Sequence, residues 1–260
     1  MIINADDLGR SPETNDAILL AFQQNLISDT SVMTTCRDGL EDLARKVSNN
    51  QFSFLGGVGC HLCLTLGEPL NVETKITRFV ENGLFIDSSA APRRWCLYKK
   101  ERVIVYKEFL SQVRFIREKL KLDITHLDSH QHIHFGVDLL PVVVKLCRKE
   151  RIPYLRIPHF NRRLPFKSLI AVKLKIMYIR AHGIRTISLF GSPQQVLSSI
   201  TKKKTICEVM VHPVFNSKGI IVNKVRINDA DHCEMLETQI KAFGRYEKTN
   251  YNKLTKSTFL

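Results

Sequence analysis

Short apolar stretches alternate with amphipathic stretches along the whole chain, and this alternation limits the fold more than any other feature. Between the apolar stretches lie segments with helical spacing, of which Glu101–Leu122 is the strongest and Asp229–Phe243 the last. Strands that alternate with helices form parallel sheets. The sequence therefore predicts an α/β fold, either a (β/α) barrel-like domain with a mostly parallel sheet of about seven strands surrounded by helices, or a doubly wound open sheet. The first predicted strand begins with Ile2 and Ile3 and ends at Gly9. The other six are Ile27–Thr35, Phe52–Leu62, Ile124–Asp128, Tyr154–Ile157, Thr186–Phe190 and Ile206–Val211.

No Gly/Ser/Pro-rich linker interrupts this pattern, so we expect residues 1–260 to form a single domain. A chain of this length can bury a sizeable core. No apolar run approaches the ~18–20 residues of a membrane span, and the first residues lack the basic and apolar regions of a signal peptide. The seven cysteines follow no framework pattern. Free thiols and a cytoplasmic location are therefore expected.

The positive charge of the chain is concentrated in one stretch. The formal net charge is +14, and residues 141–205 alone hold fifteen Lys or Arg and one acid, Glu150. Such a stretch suits an anionic partner or a solvated basic surface. We expect no nucleic-acid binding, because the stretch has few aromatic residues and no recognisable binding motif. The segment Arg162–Arg185 mixes basic and apolar residues and is predicted to be a buried helix rather than a membrane-surface helix, and the run Lys202–Lys204 a solvated loop.

Polar clusters interrupt the apolar strands at their C-terminal ends, which meet at one rim in parallel α/β folds. The first cluster, Asp6-Asp7, follows the first strand. Adjacent residues of a strand point to opposite faces, but where the backbone turns at a strand end both carboxylates can reach one centre. A cation beside one would keep it ionised and leave the other free as a base. The alternative is an N-terminal turn that caps a helix.

His61 and His212 lie in two other strands of this kind. Alone, His61 is more typical of a satisfied core histidine than of a ligand, and its neighbours Cys60 and Cys63 lack the second cysteine pair of a structural zinc site. His212 lies between an apolar strand and Pro213. Since imidazole titrates near neutral pH, His212 is a candidate general acid.

The richest cluster follows the fourth predicted strand. It has titratable residues at even positions only, so that an extended backbone would place all of them on one face. Five such groups are costly to bury unless they bind something, and imidazole and carboxylate are natural metal ligands. The alternative is a solvent-exposed histidine-rich loop. The five residues are His126, Asp128, His130, His132 and His134.

Taken together, these blocks resemble the YdjC-like carbohydrate deacetylase family, which includes chitooligosaccharide deacetylases and relatives associated with hopanoid biosynthesis. The resemblance extends from residue 1 to about residue 245. It is carried, in order, by Asn4-Ala5-Asp6-Asp7-Leu8-Gly9, Gly59-Cys60-His61-Leu62-Cys63-Leu64-Thr65, Thr125-His126-Leu127-Asp128-Ser129-His130-Gln131-His132, Leu155-Arg156-Ile157-Pro158 and Val211-His212-Pro213.

The resemblance implies a (β/α) barrel-like fold and metal-dependent removal of an acetyl group from an N-acetylated amino sugar, with release of acetate. It implies Asp7, His61 and His130 as metal ligands and one divalent ion, usually magnesium, although this ligand set also suits zinc or another transition ion. Asp6 would be the general base and His212 the acid, and Arg156 would orient the base or bind the substrate. The family is compatible with a homodimer. A metal-dependent phosphoesterase on a similar barrel, with His126, Asp128 and His132 at a second metal, is the alternative.

Overall fold

The alternation of strands and helices is present in the computed structural model, which describes residues 1–53, 55, 57–86, 97–158, 166–200, 206–227, 230–244 and 246–256. The strands in these residues are β1 (Ile2–Leu8), β2 (Asp29–Val32), β3 (Val58–Leu62), β4 (Val80–Glu81), β5 (Leu84–Phe85), β6 (Ile124–Ser129), β7 (Tyr154–Leu155), β8 (Leu189–Gly191), β9 (Cys207–Val211), β10 (Pro213–Phe215), β11 (Ile221–Ile227) and β12 (Ala230–Met235). The helices are α1 (Pro12–Gln23), α2 (Arg37–Ser48), α3 (Lys99–Arg114), α4 (Leu139–Lys149), α5 (Phe166–Ala181), α6 (Pro193–Ser199), α7 (Leu236–Lys241) and α8 (Tyr251–Lys256).

Seven parallel strands form the main sheet, in the order β7-β6-β3-β2-β1-β9-β8. The sheet curls into a half-barrel surrounded by helices, which confirms the predicted barrel-like α/β fold. Arg185 makes a parallel bridge with Tyr154 at the β7 edge. Only a few residues further along the chain, β8 pairs with β9 at the opposite edge. The segment between Arg185 and β8 therefore connects the two edges of the curled sheet.

The core of the fold lies on both faces of the main sheet. Every residue of β1, β2, β3 and β6 is buried, as expected for parallel strands that are covered on both sides. On the helices the buried residues recur at helical spacing, as do Val105, Phe109 and Val113 of α3. Continuous burial explains why polar residues within these strands are informative, since each one needs a partner.

Two small antiparallel sheets lie outside the half-barrel. One is the hairpin of β4 and β5, and the other contains β10, β11 and β12. The chain passes directly from β9 through His212 into β10. The backbone N–H of His212 donates to Oδ1 of Asn223 on β11 at 2.8 Å. The three-stranded sheet therefore fixes the position of a residue at the rim of the main sheet.

The structure corrects two predicted helices. The helix predicted at Asp229–Phe243 is only partly present, because Ala230–Met235 is strand β12, paired antiparallel with β11, and the helix α7 begins at Leu236. Only the last part of the predicted segment is helical. The residues before it pair with β11, and this pairing determines that they form a strand. The helix predicted at Glu101–Leu122 is α3 followed by a wider π-helical turn at Phe115–Lys119.

The basic segment contains helix α5, as predicted for its centre, but this helix is not buried on all sides. Ile170, Leu174, Met177 and Tyr178 are exposed. Residues 159–165 and the run Lys202–Lys204 lie outside the described residues. Among the helices that the structure describes, none is both long enough and apolar enough to cross a membrane. All six cysteines in the described part of the chain are free, as expected.

Candidate active site

A cavity of about 680 Å³ opens at the C-terminal ends of the main-sheet strands. Its wall contains residues from β1, β3, the segment after β6 and the β9–β10 junction, which are the four positions singled out by the sequence. Five of the six predicted site residues line it, namely Asp6, Asp7, His61, His130 and His212. The sixth, Arg156, does not line the cavity.

A bulge at the end of β1 brings both aspartates to this cavity. The register between β1 and β2 shifts between Ala5 and Leu8, and Asp7 has a φ of 71°. This left-handed conformation is unusual for a residue other than glycine, and such strain is found mainly at functional sites. Because the backbone turns here, Asp6 and Asp7 both line the cavity instead of pointing to opposite faces of the sheet.

Asp7, His61 and His130 form the candidate metal centre. One ligand atom from each lies within 4.8 Å of the others. Oδ1 of Asp7 is 3.3 Å from Nε2 of His61 and 3.3 Å from Nδ1 of His130. These separations leave room for a small cation between the three atoms, and one carboxylate with two imidazoles is a donor set that divalent ions accept.

The hydrogen bonds of His61 show that these three residues fit a metal ion. Nδ1 of His61 lies 2.9 Å from Oδ1 of Asp128, a carboxylate that accepts its proton and directs the lone pair of Nε2 toward Asp7. Oδ1 of Asp7 is buried and has no hydrogen-bond partner among the described residues. Two acceptor atoms that face each other in a buried site require a proton or a cation between them.

The charges at this centre also favour a cation. Burial opposes the ionised form of Asp7, yet His130 and His61 lower the pKa of Asp7 well below its usual range. Burial also opposes a charged His61, but the carboxylate of Asp128, which is hydrogen-bonded to it, and the nearby Asp7 and Asp6 carboxylates raise the pKa of His61 well above its usual range. The carboxylates around His61 therefore favour a positive charge at this centre.

Asp6 is paired with Arg156, which lies beneath the cavity. Nη1 and Nη2 of Arg156 donate to the two carboxylate oxygens of Asp6 at 2.7 and 2.8 Å, and Asn4 donates to Oδ1 of Asp6 at 2.7 Å. Burial raises the pKa of Asp6, but the nearby guanidinium outweighs it and lowers the pKa. Asp6 is therefore ionised and held in one orientation.

Arg156 is fully buried and is surrounded by carboxylates. Besides Asp6, its Nη1 lies 2.6 Å from Oδ2 of Asp128, and its Nε donates to Oε1 of Glu208 at 2.8 Å. These neighbours raise the pKa of Arg156 against the effect of burial. Of the two predicted roles for Arg156, this position favours orientation of the base over contact with a substrate.

The layer below Arg156 contains residues that the sequence did not predict. Tyr251 of α8 is buried, its hydroxyl donates to Oε2 of Glu208 at 2.6 Å and its N–H donates to Asp29 at 2.8 Å. Burial raises the pKa of Glu208 and raises the pKa of Asp29 to about 7. A glutamate inside the apolar strand Cys207–Val211 was the available signal, because buried acids need partners.

The histidine-rich segment does not stay extended, so its five residues do not share one face. β6 ends at Ser129, and Gln131 and His132 have φ values of 55° and 54° within a short 3-10 helix. His126 and Asp128 both lie in the extended strand β6 and share one face, where His126 stacks on Tyr251 with 3.9 Å between ring centroids. His134 lies between Ser129 and the carbonyl oxygen of Arg156.

His212 faces the cavity with part of its ring buried. Its Nδ1 is among the buried side-chain atoms of the described residues that lack a hydrogen-bond partner. Burial lowers the pKa of His212, opposed by the Asp7 and Asp6 carboxylates. Its imidazole is therefore available to exchange a proton with a molecule in the cavity. Arg10 and Lys224 also line the cavity, and Arg10 pairs with Oδ2 of Asp7 at 2.9 Å.

The chain is similar to proteins of known family. The profile of the YdjC-like protein family matches residues 1–250. A carbohydrate deacetylase of Vibrio parahaemolyticus is 26% identical over 226 residues, covering 85% of this chain and 81% of that protein. A chitooligosaccharide deacetylase of Klebsiella pneumoniae is 28% identical over 228 residues, covering 85% of this chain and 84% of that protein.

A solved structure shares the fold. A protein of Enterococcus faecalis, described as a putative cellobiose-phosphate cleavage protein, superimposes with a TM-score of 0.73 and covers 97% of each chain. The two sequences are 22% identical. At that identity the match concerns the fold alone.

Proposed function

The chain belongs to the YdjC-like protein family, and from that premise we propose that it is a metal-dependent hydrolase that removes an acetyl group from an N-acetylated amino sugar and releases acetate. The observation that supports this most is the pair of neighbouring aspartates on the β1 bulge. Asp7 faces two imidazole nitrogens at 3.3 Å, while Asp6 is ionised and lies beside them on the cavity wall. One carboxylate can hold a metal ion and the other can accept a proton.

Asp7, His61 and His130 would hold one divalent cation, magnesium by family resemblance, with zinc or another transition ion also suited to the set. When bound, such an ion polarises an acetyl carbonyl group and lowers the pKa of a water molecule. Asp128 holds Nδ1 of His61 and thereby keeps Nε2 directed to the centre. All three residues line the cavity, so a substrate in the cavity would be within reach of an ion that they held.

Asp6 acts as the general base in this proposal. Its carboxylate takes the proton of the attacking water molecule, and Arg156 keeps both oxygens in place during that transfer. The guanidinium lowers the basicity of Asp6, so this base needs a water molecule that is already acidified. The proton acceptor and the metal ligand are therefore adjacent in sequence but distinct in chemical role.

His212 acts as the general acid. It gives a proton to the nitrogen of the departing amine, which leaves as the free amino sugar while the acetyl group leaves as acetate. Burial lowers the pKa of His212, which makes its protonated imidazole a readier proton donor. His212 lies on the wall of the same cavity as Asp6, so the base and the acid can act on one substrate.

The phosphoesterase alternative receives no support from the geometry. The residues predicted for a second metal, His126, Asp128 and His132, do not form a cluster of ligand atoms among the described residues. The other cluster whose ligand atoms lie within 4.8 Å of one another contains Asp6, His61 and Asp128. Nη1 of Arg156 already lies 2.7 Å from Asp6 and 2.6 Å from Asp128. A guanidinium at this position supplies the positive charge and would repel a second cation.

Acetate release tests the proposal. The purified protein is incubated with N-acetylglucosamine oligomers together with magnesium or zinc, and again after chelation, and acetate is measured. We expect release that depends on the metal and returns when the metal is restored. The same preparations are given a generic phosphomonoester. Phosphate release without acetate release, with two metal ions per chain, would contradict the proposal and favour the phosphoesterase.

A further inference from the structure

Helix α5 has apolar residues on two opposite faces, and the described part of the protein covers only one of them. Ile179 is fully buried, and Val172 and Ile176 pack against the core. The opposite side carries large apolar side chains in contact with solvent. An exposed helix normally has one apolar stripe, and a helix that is apolar all round is normally buried on all sides. The second face of α5 is therefore available for contact with another surface.

The exposed apolar face is a continuous stripe. Ile170, Leu174, Met177 and Tyr178 are exposed to 42%, 58%, 64% and 37% of their surface. Their spacing of four, seven and eight residues from Ile170 places them on one side of an α-helix. We call these four residues the α5 stripe. Contiguous exposed apolar patches mark interaction sites more often than isolated exposed residues do.

Cations border the α5 stripe on both sides. On a helical projection, Lys173 and Arg180 lie along one border and Lys175 along the other. Lys173 and Arg180 are exposed. Residues 166–185 contain five Lys or Arg and no Asp or Glu. An apolar stripe flanked by exposed cations is the pattern of helices that lie in the interface of an anionic membrane.

A membrane-spanning helix and a dimer interface both fit this pattern less well. α5 has 16 residues and is about 24 Å long, shorter than the ~30 Å hydrocarbon core of a bilayer, and its other face is held by the protein, so it cannot cross a membrane. A second copy of this chain would bring the same cations together without any acid from α5 to pair with them, and like charges across an interface are unfavourable.

We propose that the α5 stripe docks the protein on the surface of an anionic lipid bilayer. The apolar side chains would enter the boundary between headgroups and acyl chains, and the exposed cations Lys173 and Arg180 would contact the lipid headgroups. α5 is also linked to the active-site segment, since Nζ of Lys175 donates to the carbonyl oxygen of Phe135 at 2.8 Å. Phe135 follows His130 in the same short segment, beyond the kink at Gln131 and His132. Docking would therefore hold the candidate active site close to the bilayer surface.

Sedimentation with vesicles tests this proposal without relying on catalysis. The full chain is mixed with vesicles of phosphatidylcholine alone and of phosphatidylcholine with phosphatidylglycerol, at low and high salt. We expect binding to the mixed vesicles only, weakened at high salt because screening shortens the reach of surface charges. A wild-type protein that stays in the supernatant with mixed vesicles, or that binds both kinds equally at every salt concentration, would overturn the proposal.

A matched pair of variants tests whether the α5 stripe is responsible. Leu174→Glu with Met177→Glu places charges in the stripe and is expected to lower the vesicle partition coefficient by about tenfold or more. Val72→Glu with Val103→Glu changes two exposed residues elsewhere and is expected to bind like the wild type. Equal binding by both double variants would place the contact outside α5 and would overturn the proposal.

The oligomeric state of the same proteins distinguishes a lipid surface from a second copy. Light scattering after size exclusion is measured for the wild type and the stripe variant, and circular dichroism confirms that each is folded. We expect the same mass for both. A wild-type dimer that the stripe variant converts to a monomer would show that a second copy covers the stripe, and would overturn the proposal.

Discussion

At the scale of single residues, the roles of Asp6 and Asp7 are set by what each carboxylate faces. Both oxygens of Asp6 accept hydrogen bonds from Arg156. Oδ1 of Asp7 faces two imidazole nitrogens and has no hydrogen bond among the described residues. A carboxylate that is fully paired with a guanidinium is a poor metal ligand, whereas one with an unpaired oxygen is a good one. The assignment of Asp6 as base and Asp7 as metal ligand therefore depends on Arg156.

Replacing Arg156 should be costly for stability. Arg156→Met would leave Asp6, Asp128 and Glu208 buried without their counter-charge, and loss of one partner of a buried ion pair costs about 3–5 kcal/mol. Arg156→Lys keeps the charge but not the planar fork that reaches both oxygens of Asp6, so its stability should be intermediate. Urea denaturation measures both. Equal stability of Arg156→Met and the wild type would contradict the ionic role of Arg156.

The chemical identity of the site residues could be predicted from sequence, but their directions could not. The alternation of side chains along a strand holds for His126 and Asp128, which both lie in β6, but it fails for His130, which lies beyond the end of β6. Two successive left-handed residues after His130 break the pattern. The residue types predict this only weakly, since histidine is enriched in the left-handed conformation but glutamine is not.

At the scale of elements, the packing of β3 against β6 depends on one glycine. Gly59 of β3 pairs with His126 of β6. A Cβ atom at Gly59 would lie 2.3 Å from Nε2 of His126, and the imidazole has no room to move because it is buried against Tyr251. The space that Gly59 leaves is therefore filled by the histidine ring.

Gly59→Ala should destabilise the protein by about 1–3 kcal/mol, because a side chain in a packed core forces its neighbours to shift. The matched control is Gly244→Ala, where the nearest heavy atom to the new Cβ would be 3.2 Å away. Thermal denaturation of both variants measures the difference. An unchanged melting temperature for Gly59→Ala would show that His126 can move away from β3 at no cost.

Element boundaries were predictable where burial decides them and not where pairing does. The main-sheet strands are buried on both faces and appear in the sequence as apolar runs. β12 is a strand because it pairs with β11. The same residues have no strong apolar period of their own, so the helical spacing of α7 was extended into them. Pairing between distant residues is the information that a local pattern lacks.

At the scale of the whole molecule, the buried charges beneath the site determine how stability depends on pH. Burial lowers the pKa of His126 to about 3 and that of His134 to about 4. Their pKa values in the unfolded chain are near 6.5. Below about pH 6.5 the unfolded chain therefore binds protons at these two histidines that the folded protein does not bind. These two histidines therefore make stability fall as the pH decreases from about 6.5. Asp29 has the opposite effect.

Asp29→Asn should reveal that opposite effect. The pKa of Asp29 is raised by burial to about 7, above the ~3.9 of an unfolded aspartate. Its contribution is most favourable below about pH 3.9 and is lost as the pH rises to about 7. The free energy of unfolding of the variant, relative to the wild type, should therefore increase between about pH 4.5 and about pH 7.5. Urea titrations at both pH values check this, and a difference that stays constant would contradict the raised pKa.

The overall architecture was the most predictable level, because alternating strands and helices leave few arrangements. The curled sheet and the convergence of four polar clusters at its rim agree with that expectation. The exposed face of α5 differs from the prediction, which was a buried helix. Apolar residues around the whole helix predict burial, and the sequence holds no information on whether the chain itself or another surface provides the cover.

Paired variants of the two aspartates test whether metal binding and proton transfer depend on different carboxylates. Metal content and affinity are measured by calorimetry for Asp6→Asn and Asp7→Asn, and acetate release is measured on the same samples. We predict that Asp6→Asn binds one divalent ion per chain with near wild-type affinity but releases acetate about 10²–10⁴ times more slowly. Asp7→Asn should lose both. An Asp6→Asn variant that fails to bind the metal while remaining folded, or that still releases acetate at the wild-type rate, would contradict this separation of roles.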